Sequence, residues 1–98
     1  MLGCDVVPLE SSVELANEAR VMHNCLQNFI DDCCKGEFEV YSIRLSGSER
    51  RIGCAGFGFY DGIAILYDAK GIANTPAPWK VDRIAAELEL RLQAFESA

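Results

Sequence analysis

Asp61-Gly62 separates two β-rich runs, RIGCAGFGFY (51–60) and IAILYDAK (63–70), and this arrangement commits the middle of the chain to an antiparallel hairpin. Both residues tolerate positive φ, which a two-residue turn matched to the twist of its strands requires. Upstream, EFEVYSIRL (37–45) alternates β-branched and aromatic residues with polar ones and reads as another strand. Ser46-Gly47-Ser48-Glu49 turns it into the hairpin, giving a three-stranded meander. Gly56 and Gly58 share one face of the middle strand and Phe57 and Phe59 the other. Glycine weakens a strand unless something must approach closely, so a helix or loop is expected over the glycine face.

On either side of the meander the apolar period becomes helical. Leu15, Ala19, Met22, Leu26, Phe29, Ile30 and Cys33 recur at spacings of three and four. Ser12 is the expected N-cap, and Glu14 and Glu18 suit the positive end of the helix. The segment to Lys35 is long for a small domain, which predicts either one kinked helix or two helices meeting near residues 20–23. Gly36 ends it. After the loop GIANTPAPW, a last helix from Trp79 to Glu96 carries Val81, Ile84, Ala85, Leu88, Leu92 and Phe95 on one stripe, with Glu87 and Arg91 paired outside it. The prediction is a single α+β domain over residues 1–98: a lead-in segment (1–10) stopped by Pro8, an N-terminal helix, a three-stranded antiparallel meander and a C-terminal helix. Both helices are expected on one sheet face, leaving an edge and part of the other face for a partner.

Half of the residues are hydrophobic, which excludes disorder as the ground state. The net charge of −6 excludes a duplex DNA binder held by phosphate neutralisation, and fits either simple solubility or docking onto a basic surface. Five cysteines, an odd number without CxxC spacing, read as reduced thiols in a cytoplasmic setting. The LGC near the start lacks the basic and apolar regions of a lipoprotein signal, and no apolar run reaches the roughly 20 residues of a membrane span.

MHNC (22–25) holds the only histidine beside one of the cysteines. Positions i and i+2 diverge by about 200° on a straight helix, so His23 and Cys25 pair as base and nucleophile only at a kink or a helix start. The plainer expectation packs Cys25 beside Phe29 and hydrogen-bonds His23 to backbone. Cys25 and Cys33 lie about 12 Å apart along a helix and cannot share a metal, and neither a metal nor a cofactor is expected. Asp31 and Asp32 are expected on the solvated helix face. Asn74, before Thr75-Pro76, is expected to cap its turn.

Residues 14–44, ELANEARVMHNCLQNFIDDCCKGEFEVYSIR, together with DAKGIANTPAP (68–78), resemble the signature region of PcfJ-like proteins. These occur on conjugative plasmids and other mobile elements, and their molecular role is poorly defined. The matching positions are Glu18, His23 with Cys25, Phe29, Gly36, Ser42 with Arg44, and then Gly71, Asn74, Pro76 and Pro78. A small Gly-Ser pair and a tyrosine common in the family after the cysteine are replaced here by Gln27, Asn28 and Phe29. The resemblance implies a pocket formed by His23, Cys25, Arg44 and Asn74, without implying a reaction.

Three functions follow as expectations. The first is a small acidic mobile-element protein, phage or plasmid, that binds or inhibits a host protein or complex handling nucleic acid or defence. A second is a small-ligand or nucleotide pocket at Arg44 and Asn74. The third is a cysteine-dependent hydrolase using Cys25, His23 and Asn74. The binding module is favoured over an enzyme because the chain lacks a complete catalytic set; its oligomeric state is open.

Overall fold

The structure, a computed structural model, describes residues 1–22, 30–48 and 50–97, with the side chains of 30, 31 and 95–97 left aside. The architecture is α+β, with four strands rather than three. Strands β1 (Cys4–Pro8), β2 (Phe38–Leu45), β3 (Arg51–Tyr60) and β4 (Ile63–Lys70) form one antiparallel sheet in the order β1-β2-β3-β4. Helices α1 (Ser12–Met22) and α2 (Ile30–Cys34) fall between β1 and β2, a short 3₁₀ turn spans Ile72–Asn74, and α3 (Trp79–Ser97) closes the fold.

The segment expected as a lead-in is thus an edge strand. Val6 pairs with Ile43 and Val7 with Ser42. Pro8 is tolerated because it is the last residue of an edge strand, where a missing N–H costs no ladder bond. Helix α1 is described to Met22 and α2 from Ile30, and the kink expected near residues 20–23 reaches into 23–29, outside the described residues; the cap of α1 moves by one residue. Ser11 Oγ accepts the Glu14 N–H at 3.1 Å and donates to the Glu14 carboxylate at 3.2 Å, so Ser11 rather than Ser12 is the N-cap of α1. At the other end Gly36, with φ +74°, lets Glu37 N–H reach the Asp32 carbonyl and Gly36 N–H reach that of Cys33, which completes a Schellman motif.

The helices cover opposite faces of the sheet, correcting the expected two-layer arrangement. Val81, Ile84, Ala85 and Leu88 of α3 pack with Ile43, Ala55, Phe57 and Cys4. Across the sheet Leu15 of α1 packs with Leu9, Phe38 and Val40. Successive residues of β3 separate the two layers. A Cβ on Gly53 would come within 2.7 Å of a Val81 methyl, whereas the next residue, Cys54, hydrogen-bonds Glu18 of α1. A strand buried on both faces explains why residues 53–58 are buried without interruption. Among the described residues, a Cβ on Gly56 or Gly58 would meet the rings of Phe38 and Tyr60, respectively, rather than a helix.

Both hairpin residues have positive φ, +51° at Asp61 and +78° at Gly62, as the two-residue turn demands. Facing α3, the outward edge of β4 is closed by side chains. Glu89 accepts the Leu66 N–H, and Gln93 donates to the Ala64 carbonyl at 2.8 Å. Four helical residues rise about 6 Å and two strand residues about 7 Å, so an i,i+4 pair on α3 matches an i,i+2 pair on β4. No helix among the described residues is long and apolar enough to cross a membrane.

Candidate functional site

Glu18 lies on the buried stripe of α1 with Leu15, Ala19 and Met22, and its side chain is fully buried. It does not sit at the helix start as a dipole partner. Its Oε1 accepts a 2.5 Å hydrogen bond from Arg51 Nε and lies 3.6 Å from Arg44 Nη2; its Oε2 accepts the Cys54 thiol at 3.2 Å. Arg44 Nε donates to Ser42 Oγ at 3.1 Å, and Ser42 is fully buried.

A β-bulge builds this cluster. Ser42 pairs with Cys54 and Ile43 with Gly53, but Arg44 pairs with Arg51, which leaves Ile52 as the extra residue of β3. Simple alternation from Cys54 would aim Arg51 toward α3. The inserted residue reverses the parity, so Arg51 joins Arg44 and Cys54 on the α1 face while Ile52 packs into the α3 core. Two guanidinium groups directly across a ladder repel each other, and Glu18 is placed to neutralise one of them. Among the described residues no buried side-chain nitrogen or oxygen lacks a partner. The cluster is therefore a satisfied, load-balancing network between α1 and the sheet, carrying one net positive charge.

Arg44 thus occupies a defined polar centre, with Glu18 and Ser42 in contact with it. Asn74 lies in the exposed 3₁₀ turn, where Ala73 and Asn74 both take positive φ and the Thr75 hydroxyl donates to the Ile72 carbonyl at 2.6 Å. His23 and Cys25 lie outside the described residues. Arg51 was not anticipated as a site residue, nor was Cys54 as a partner of Glu18. The available signal was Glu18 itself: a carboxylate on an apolar stripe demands cationic partners, and the arginines flanking the β2–β3 turn are the nearest in sequence to the sheet.

A second bulge shapes the surface at the opposite end of the same face. Gly56 pairs with Asp68 and Phe57 with Leu66, leaving Tyr67 as the extra residue of β4. Its ring meets Phe38 edge-on, with centroids 5.5 Å apart. Tyr67 and Tyr60 are 60% and 62% exposed, and Ile63 and Ile65, 49% and 40% exposed, lie beside them. Tyr60, Tyr67, Phe38 and the buried Gly58 line a recess of about 420 Å³ whose rim carries Asp32 and Glu37. Asp32 is half-buried here rather than on a fully solvated helix face.

A further groove, also about 420 Å³, runs between the start of α1 and the end of α2 and is lined by Leu9, Leu15, Val40, Cys33 and Cys34. Cys4, Cys33, Cys34 and Cys54 are not joined to one another by disulfides. Burial, with Cys34, Asp32 and Glu39 nearby, raises the Cys33 pKa above its ordinary 9.0, so this thiol is not an activated nucleophile. No group of three metal-ligating side chains exists among the described residues. Compared with known proteins, the chain matches no family model, no curated protein and no solved structure.

Proposed function

We propose that this chain is a protein-binding module that docks through the exposed face of the β3–β4 hairpin. The observation that carries this reading is that Tyr60, Ile63, Ile65 and Tyr67, on one face of the β3–β4 hairpin, are all exposed, with no described helix covering them. Tyrosine-rich apolar patches bordered by charge are the composition of recognition surfaces, and a patch of this kind on a small domain is costly unless something covers it. The net charge of −6 supports a basic partner surface. The PcfJ-like resemblance supports a mobile-element origin, phage or plasmid. A host protein or complex that handles nucleic acid or defence is the corresponding target, and covering its basic surface would inhibit it.

The test is capture from host lysate with the wild-type chain and an Ile65→Asp variant, each checked for folding by circular dichroism. The expected result is one protein or complex recovered by wild type at low salt and lost by the variant. Recovery of nothing, or equal recovery by both, overturns the reading.

A second reading rests on the arginine pair. Arg44 and Arg51 share a single carboxylate and keep about a fifth of their side-chain surface exposed, 20% and 17%, which supports a small anionic ligand such as a nucleotide at that end of the face. Native mass spectrometry of protein purified from its host, and of an Arg44→Leu variant, tests it: a retained mass in the first and its loss in the second.

A further inference from the structure

We infer that the recess between Tyr60 and Tyr67 receives the cationic side chain, lysine or arginine, of an extended basic segment in the protein partner. The inference rests on the docking face proposed above and deepens it by naming what fills its centre.

The recess combines three features that an apolar pocket would not need together. Its walls are aromatic: the two exposed tyrosine rings, with Phe38 held edge-on to Tyr67. The ring faces of such residues carry the negative side of a quadrupole and attract a cation within about 6 Å. Its rim is acidic, from Asp32 at the end of α2 and Glu37 before β2, and among the described residues none that lines it is basic. Its floor is Gly58, where a side chain would crowd the Tyr60 ring at 3.2 Å, so the backbone itself leaves the depth that a long, thin side chain needs. The apolar stem of lysine or arginine would lie along Ile65 and the tyrosine rings, and its charged end would meet the carboxylates.

The surroundings favour a side chain delivered on an extended strand lying across the face, rather than one added to the sheet. The outer edge of β4 is already hydrogen-bonded by Glu89 and Gln93, so a partner strand cannot extend the ladder at Ala64 and Leu66. Alternating side chains of a segment lying on the face would instead place apolar residues on Ile63 and Ile65 and a cation in the recess.

The experiment uses the full chain and four acetylated nonapeptides of alternating valine and threonine that differ only at the central residue: lysine, arginine, norleucine or glutamate. Binding is followed by amide and tyrosine ring shifts in NMR titration. The lysine and arginine peptides are expected to bind roughly two- to thirtyfold tighter than the norleucine peptide, shifting Gly58, Tyr60 and Tyr67, with the glutamate peptide weakest. Tyr67→Leu, which keeps an apolar wall without the π face, and the double variant Asp32→Asn/Glu37→Gln should each erase the preference for the cation. Equal binding of the lysine and norleucine peptides, or shifts confined to other surfaces, overturns the inference. Should the lysate partner be lost by Ile65→Asp yet held fully by Tyr67→Leu and by the double carboxamide variant, the docking face stands and the cation recess falls. Concentration-dependent self-association through Tyr67 without any preference among the peptides likewise overturns it, since a second copy would then be the occupant.

Discussion

Arg44 and Arg51 stand directly opposite each other on β2 and β3, and the carboxylate of Glu18 is the group that makes this juxtaposition tolerable. Removing Glu18 leaves two partly buried guanidinium groups facing each other. Glu18→Ala is expected to cost about 3–5 kcal/mol of folding stability, because breaking a buried pair strands an uncompensated charge. Replacing all three residues with methionine should recover much of that loss. Urea denaturation of the two variants checks this; a triple variant as unstable as Glu18→Ala would show that the ion pair itself, rather than the stranded charge, carries the energy.

Gly53 makes a separate, steric demand on the other layer. An added Cβ would fall 2.7 and 2.8 Å from the Val81 methyls and 2.8 Å from the Lys70 carbonyl oxygen. Gly53→Ala is expected to destabilise by about 1–3 kcal/mol. Adding Val81→Ala should relieve only part of this overpacking, since the Lys70 backbone cannot withdraw as a side chain can. A double-mutant cycle in urea measures the coupling.

The β4 edge depends on two side chains from α3. In Glu89→Ala/Gln93→Ala the outward N–H of Leu66 and carbonyl of Ala64 lose these two hydrogen bonds. Water can satisfy groups at an edge, so the stability loss should be modest, about 1 kcal/mol. The larger expected effect is association through the newly exposed edge. Size-exclusion chromatography with light scattering should show a concentration-dependent larger species in the variant and none in the wild type.

Alkaline pH acts through Cys33 and Tyr41. Burial raises both pKa values, and for Tyr41 the 2.7 Å hydrogen bond to Glu39 adds to it. The folded chain therefore holds two protons that the unfolded chain releases near the ordinary values of 9.0 and 10.0. Stability is fully present below these values and falls as pH rises above them, by at most about 1.4 kcal/mol per pH unit per group and by less for partly exposed side chains. Tyr41→Phe should leave a shallower fall, and Tyr41→Phe/Cys33→Ser a shallower one still, in urea titrations between pH 8 and 11.

Much of this fold was legible in the residues. The change from a helical to a two-residue period marked β2, and β3 and β4 run over the residues their composition indicated, because Asp61-Gly62 is a local signal needing no tertiary help. The first strand was not legible. CDVVP is short, ends in proline and shows no alternation, and it is a strand only because β2, more than thirty residues away, supplies its partner. The opposed helices had a trace in the sequence, since β3 carries small or apolar residues on both faces from Gly53 to Gly58, the mark of a strand covered twice. The bulges had none. Whether Arg51 faces α1 or α3 depends on one unpaired residue, Ile52. Of the anticipated site, Arg44 sits in a polar centre and Asn74 in an exposed turn, positions that alternation and turn chemistry indicate only in part.

Adjacent in the chain but turned to opposite faces, Gly53 and Cys54 hand β3 two incompatible obligations: bare backbone beneath Val81 and a thiol beneath Glu18. Sliding the strand by one position would drive sulfur into the α3 methyls and leave the carboxylate looking at an empty Cα. Each layer thereby proofreads the alignment demanded by the other, and mispaired chains are rejected twice during assembly.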